Sequence, residues 1–191
     1  MLIKQDNYSG NFIHRRFAYE YFRDKVLPTG NIVAFISPME VTDNLVDIED
    51  ALARDFIYSE KAINFCYELP LTNTWGGVAF QRLFNTMLGD LLARIMKVSV
   101  EISGDDIFVC KEFTQGGVTQ LRGKASVSIV HEVNGAVLGH TGINIVAGKR
   151  APAFAYSTNM TEEQQNEFIR EAIKMFYETT ADIFVATTKV I

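Results

Sequence analysis

A chain of 191 residues, 48% hydrophobic and 21% charged, has the makeup of ordinary globular protein, and its length suits one domain over 1–191. Its net charge of −5, with Lys and Arg spread out and Arg15-Arg16 standing without basic neighbours, argues against nucleic acid as the main partner. No run approaches the ~20 apolar residues that span a bilayer, and Met1 to Gly10 lacks the apolar core of a signal peptide. Cys66 and Cys110 show neither metal-ligand spacing nor a disulfide framework, so both are expected to be small buried hydrophobes in a reducing, cytoplasmic compartment.

In chain order, the first clear element is the apolar run Asn31 to Ile36, entered through Pro28-Thr29-Gly30 and left at Ser37-Pro38. It reads as a buried strand between breakers. Asp47 to Asp50 is an acidic knot before a helical stretch, where carboxylates favour a helix N-terminus. It reads either as that solvated helix start or as a metal or amine site through Asp47, Glu49 and Asp50. The segment Ala62 to Tyr67 reads as helical, and Trp75 as a packed helix entry. From Gly77 to Met96 the apolar positions fall at threes and fours, as in a long amphipathic helix with Arg82, Asp90 and Arg94 on its wetter side. Short strands follow at 98–102, 107–110, 125–130, 136–138 and 143–146, with glycines 104, 116, 117, 123, 135, 139 and 142 marking turns. The stretch Lys111 to Arg122 is long for a hairpin loop and reads as a lid. Thr161 to Gln164 has capping-box form and opens a last helix with Phe168, Ile169, Ala172, Ile173 and Phe176 on its apolar face. The sum is an α+β layout with a largely antiparallel sheet and helices on one face.

Three segments within about fifty residues carry the chemistry: Gly104 to Val109, Gly123 to Ile129, and Ala136 to Ile145. They offer the carboxylates Asp105 and Asp106 at one strand end, Lys124 at the start of the next, and a glycine-flanked strand reaching Asn144. The compact ammonium of a lysine suits a phosphate or carboxylate, and Asp106 with Asp105 can hold a metal ion. Gly-Asp and Gly-Lys are also ordinary turn chemistry, and spacing alone leaves that reading open.

The same three segments, in this order, resemble the central region of biotin and lipoate protein ligases. Those families have an Asn-Asp strand, a strand bearing a catalytic lysine, and a Gly-x-Gly-Ile-Asn strand. Here these read Asp105-Asp106, Lys124, and His140-Thr141-Gly142-Ile143-Asn144-Ile145. Over nearly its full length the chain resembles more closely a family of unknown function within that superfamily, domain of unknown function 366. Tyr8-Ser9-Gly10, Val46 to Asp50 and Gln81-Arg82-Leu83 carry that likeness, together with the segments above. The resemblance implies a class II aminoacyl-tRNA synthetase-like core and a small-molecule substrate. It implies Lys124 as the catalytic residue, contacting an acyl carbonyl and α-phosphate, with ATP and Mg²⁺ as cofactors. Asp106, Asn144, His140 and Arg16 are then candidate ligand-binding residues, and the superfamily's habits suggest a homodimer. The chain departs from the ligases in lacking their glycine- and arginine-rich adenylate loop, and in reading Gly104-Asp105 before Asp106. Two functions follow: an enzyme that activates or transfers a carboxylate- or nucleotide-like substrate, or a non-catalytic small-ligand module. His140 reads alternatively as a polar strand-edge residue, and Arg16 with Arg15 as a surface ion-pair former. Cys66 as an acyl-accepting nucleophile lacks an adjacent base, and the histidines lack zinc-site spacing.

Overall fold

A computed structural model describes residues 1–42, 52 and 56–190. The acidic knot Asp47, Glu49 and Asp50 lies outside the described residues. A four-stranded antiparallel sheet in the order β1-β2-β9-β8 forms the centre. Its strands are β1 (Asn31–Val41), β2 (Ile57–Leu69), β8 (Ser126–Val133) and β9 (Ala136–Val146). A smaller sheet, β3-β4-β7, comprises Val100–Ser103, Asp106–Val109 and Gly123–Lys124. A separate hairpin joins β5 (Phe113–Gln115) to β6 (Val118–Gln120).

The large sheet is covered on both faces. On one lie the long helices α2 (Thr74–Met96) and α3 (Glu162–Thr187). Between them and the strands, Phe65, Tyr67, Phe84, Phe168 and Phe176 form a buried aromatic core. The other face is covered by the N-terminal segment and the short α1 (Phe17–Phe22), through Tyr8, Ile13, Phe17, Phe35 and Leu138. The expected α+β layout is therefore observed, with both long helices on one face.

Several elements differ from the sequence reading for identifiable reasons. Ala62 to Tyr67 is not helical but the middle of β2, flanked by β1 and β9 and buried on both sides. A strand buried on both faces has no alternation, so its apolar run looks like a helix segment. β1 does not stop at Ser37-Pro38 but runs on to Val41, with its register shifting between Ser37 and Met39. That bulge accommodates the missing N–H of Pro38. The stretches 136–138 and 143–146 are one continuous strand, and Gly139 and Gly142 are interior to it. The Tyr67 ring lies over Gly139, so close that a Cβ there would meet Cζ at 2.1 Å. A strand glycine marks such a close approach as readily as a turn. Lys111 to Arg122 contains the β5–β6 hairpin, its two-residue turn made by Gly116 and Gly117 at φ 57° and 79°. Trp75 is not packed at all; it is 85% exposed. The Thr161 capping box is formed, with Thr161 Oγ1 accepting from Gln164 N–H.

The Gly139 contact gives the first testable expectation. Gly139→Ala drives a methyl into an aromatic ring that the core holds in place. It should cost about 3 kcal/mol, the upper end of ordinary overpacking, measured by urea denaturation. The double variant Tyr67→Leu/Gly139→Ala should recover part of that loss, because the blocking ring is gone.

Candidate functional site

Lys124 and Asp106 are brought together by strand pairing. Phe108 sits opposite Lys124 in the β4–β7 ladder, so Asp106, two residues back on β4, presents its side chain on the same face. The Lys124 ammonium donates to Asp106 Oδ1 at 2.8 Å, with both side chains 28% exposed. The main chain around the lysine is fixed from two sides. Ala125 N–H donates to Ile107 C=O, Lys124 N–H donates to Phe154 C=O, and Tyr156 N–H donates to Lys124 C=O. Asn144 is tied in beside it: its N–H donates to Ala125 C=O, and its own carbonyl accepts from Thr158 N–H and Oγ1–H.

A cavity of about 100 Å³ opens against this cluster, walled by Lys124, Ser126, Asn144, Tyr58 and Phe154. Asn144 is buried, 3% exposed, and its side-chain amide donates only a long bond, 3.5 Å, to Lys124 C=O. Its Oδ1 has no hydrogen-bond partner. A buried acceptor left without a donor costs about 1–3 kcal/mol. Such a group calls for an explanation, and one is a ligand that supplies the missing hydrogen. The walls contributed by Tyr58 and by Pro152, Phe154 and Ala155 carried no signal in the sequence, since no recurring motif marks them.

The remaining site candidates lie elsewhere. Asp105 turns away from Asp106 toward α2. Its Oδ2 accepts from Gln81 Nε2 at 3.0 Å, its Oδ1 lies 3.5 Å from Arg82 Nη2, and its backbone C=O accepts from Asn85 Nδ2 at 2.8 Å. Gln81 and Asn85 are both buried, and Gln81 also donates to Ser128 Oγ. His140 is on the same face of β9 as Asn144 but four residues away, roughly 13 Å along the strand. It is neither at the cavity nor at a strand edge. It stacks on Tyr8 with ring centroids 3.7 Å apart, and its Nε2 meets Asn64 Oδ1 at 2.9 Å. Burial holds the imidazole neutral, its pKa lowered to about 3. Arg16 adopts φ 69°, and its N–H donates to Glu68 Oε1. Glu68 sits six residues along β2 from Ala62, the partner of Asn144, or roughly 20 Å away. Cys66 is fully buried, and desolvation pushes its thiol pKa well up, away from nucleophilic thiolate.

The described residues do not form the joint metal site at Asp105 and Asp106 that the ligase resemblance implies. Asp105 and Asp106 diverge, and a cation at Asp106 would lie against the Lys124 ammonium. Among the described residues no cluster of three or more His, Cys, Asp or Glu side chains is placed to hold a metal. The cavity, about 100 Å³, is smaller than the ~300–1,000 Å³ common for sites of drug-sized ligands.

An antiparallel sheet backed by two long helices is a layout shared with the biotin and lipoate protein ligases. The chain belongs to the family described as Domain of unknown function (DUF366), whose model matches residues 1–191. No curated protein sequence matches it. Among solved structures it is similar to a protein of unknown function from Pyrococcus horikoshi, with a TM-score of 0.80 and 23% identity over 100% of this chain and 97% of that one. It is also similar to the biotin protein ligase from Aquifex aeolicus in complex with biotin and ATP, with a TM-score of 0.57 and 14% identity over 94% of this chain and 70% of that one. For P. falciparum LipL1 in complex with lipoate the TM-score is 0.51 and the identity 12%, over 94% of this chain and 62% of that one. At these identities the likeness establishes the fold. Among the described residues no helix is long and apolar enough to cross a membrane.

The buried imidazole makes stability pH-dependent with a definite sign. The folded chain resists protonating His140 down to about pH 3, whereas the unfolded chain takes that proton near the ordinary 6.5. Its contribution is fully present above pH 6.5 and lost progressively as pH falls toward 3. Below 6.5 the slope should approach about 1.4 kcal/mol per pH unit. Urea melts between pH 6.5 and 5, above most carboxylate titration, should show this slope in the wild type and a flatter one in His140→Gln.

Proposed function

We propose that this chain is a binding protein for a small carboxylate- or carbonyl-bearing molecule, seated in the cavity between Lys124 and Asn144. The observation that carries the reading is the unpartnered, buried Asn144 Oδ1 beside a lysine ammonium that has spent one of its three donors on Asp106. Together they call for a ligand with an acceptor oxygen for Lys124 and an adjacent N–H or O–H for Asn144. Hydroxy acids, amides and ureido acids have this pattern. The cavity limits the recognised part to a small head group. The protein would be cytoplasmic, consistent with the absence of a cysteine framework.

Carboxylate activation or transfer is the second reading. The Lys124–Asp106 pair favours it, because a scaffold alone has no need of a half-buried cation at a cavity mouth. Release of pyrophosphate on adding ATP, Mg²⁺ and a small acid would put this reading ahead of simple binding.

Thermal unfolding with a panel of short acids, hydroxy acids and amides separates the possibilities. A ligand at a hundred times its Kd adds roughly 2.7 kcal/mol, or about 5–10 °C in Tm for a domain this size. A hydroxy acid or amide should shift the wild type by this much, while Lys124→Ala should respond little and Asn144→Ala should lose the preference for donor-bearing ligands. No shift with any member, or an equal shift in Lys124→Ala, would remove the assignment.

A further inference from the structure

The cavity at Lys124 has two kinds of wall, and they come from different parts of the chain. Lys124, Ser126 and Asn144, from β7, β8 and β9, bring hydrogen-bonding groups. Ser126 is fully buried; its Oγ accepts from Ile107 N–H at 2.9 Å and, among the described residues, donates to none. A hydroxyl has one proton to give, so the cavity holds a neutral donor beside the ammonium. The other walls include Pro152 and the rings of Phe56, Tyr58 and Phe154. Phe154 is 51% exposed and Phe56 38%, so both stand where the cavity meets solvent.

Phe154 is held in place there. Its C=O accepts from Lys124 N–H at 2.8 Å. The loop that carries it is pinned at both ends by the β5–β6 hairpin: Gln115 Nε2 donates to Gly148 C=O at 2.7 Å, and Phe113 meets Tyr156 edge-on, ring centroids 5.2 Å apart. The Tyr58 ring is held as well, with the Arg150 guanidinium 4.5 Å from its centroid. A fixed backbone therefore keeps an exposed phenyl ring beside the lysine.

We propose that the ligand of this cavity is an aromatic 2-hydroxy acid, its carboxylate and hydroxyl inside and its ring packed at the mouth on Phe154 and Phe56. The assignment rests on the reading of Lys124 and Asn144 as a ligand site, and it names the class of molecule that fills it. The head group follows from the groups on offer. One carboxylate oxygen accepts from Lys124 and the other from the Ser126 hydroxyl, while the 2-hydroxyl donates to the unpartnered Asn144 Oδ1. The tail follows from size. About 100 Å³ takes the head group and little more, so the rest of the molecule emerges against the residues at the mouth. Phe56, Phe154 and Pro152 have no side-chain donor or acceptor, so a polar tail gains nothing from them. A ring does gain, because aromatic pairs in offset or edge-on contact are favoured beyond the area they bury. The exposed rings are thus covered by the remainder of the molecule whose head the buried groups select.

Calorimetric titration of the full chain with lactate, 3-phenyllactate and 3-cyclohexyllactate tests head and tail apart, since all three carry the same head group. Phenyllactate should bind about tenfold more tightly than lactate, and a few-fold more tightly than cyclohexyllactate. Phe154→Ala should remove most of the preference for phenyllactate over lactate, a ratio that a general loss of folding does not change. Phenyllactate binding no tighter than lactate, or a preference that survives Phe154→Ala, would overturn the tail assignment and leave the head-group reading standing. Cyclohexyllactate binding as well as phenyllactate would overturn the aromatic class. Binding of none of the three would remove the head-group reading, and this inference with it.

Discussion

The pairing of β2 with β9, closed by the Tyr67 ring seated over Gly139, is the constraint from which the rest of the molecule follows. These two strands are the middle of the sheet, and almost every residue of β9 is buried. Tyr67 occupies the space that a side chain at 139 would fill, and it packs edge-on against Phe80 and Phe84 of α2 at 5.7 and 5.8 Å between centroids. One contact therefore sets both how close α2 lies to the sheet and where β9 stands relative to β2. From that placement β9 runs on to Asn144, whose N–H takes up Ala125 and so holds the start of β8 and the β7 lysine in position.

The division of labour between adjacent carboxylates follows from the same geometry. Successive residues at a strand start point to opposite sides. Asp105 therefore reaches back to Gln81 and Arg82 on α2, while Asp106 reaches across β4 to Lys124. The polar network of buried Gln81, Asn85 and Thr141 with half-buried Ser128 joins the helix to the sheet at that point. Asp105 reads as an anchor of the β3–β4 turn, which leaves Asp106 free to orient the lysine. A half-buried pair of this kind is worth on the order of 1 kcal/mol to stability. Its interest is electrostatic: it holds a cation at a cavity that Asn144, whose buried Oδ1 has no partner, also lines.

Much of this was legible in the residues. The periodicity from Gly77 to Met96 and the capping box at Thr161 located the two long helices within a few residues, because amphipathic faces and caps are local. The run of motifs from Gly104 to Asn144 pointed to the fold that the structural neighbours share. β2 and the interior of β9 were misread because what decides them is tertiary. A fully buried strand loses its alternation, and Gly139 answers to a ring 72 positions earlier in the chain. The site was legible in part. Lys124 and Asn144, both named from the sequence, line one cavity, and Asp106 pairs with that lysine. The family resemblance grouped His140 and Arg16 with them, and the motif spacing added Asp105; the structure places those three elsewhere. Distance along β9, the register from Ala62 to Glu68 and the side-chain direction at the start of β4 decide that separation. None of these can be read from order along the chain.

The central claim is that Lys124 and Asn144 form one ligand site, and the Asn144 side-chain amide reports on it directly. Its proton–nitrogen resonance should be followed by NMR while a short hydroxy acid is titrated into ¹⁵N-labelled protein. The account predicts a saturable shift of that resonance and of the Lys124 backbone amide, with the side-chain amides of Gln81 and Asn85 unmoved. An Asn144 signal that stays fixed while resonances elsewhere move, or while none move, would contradict it.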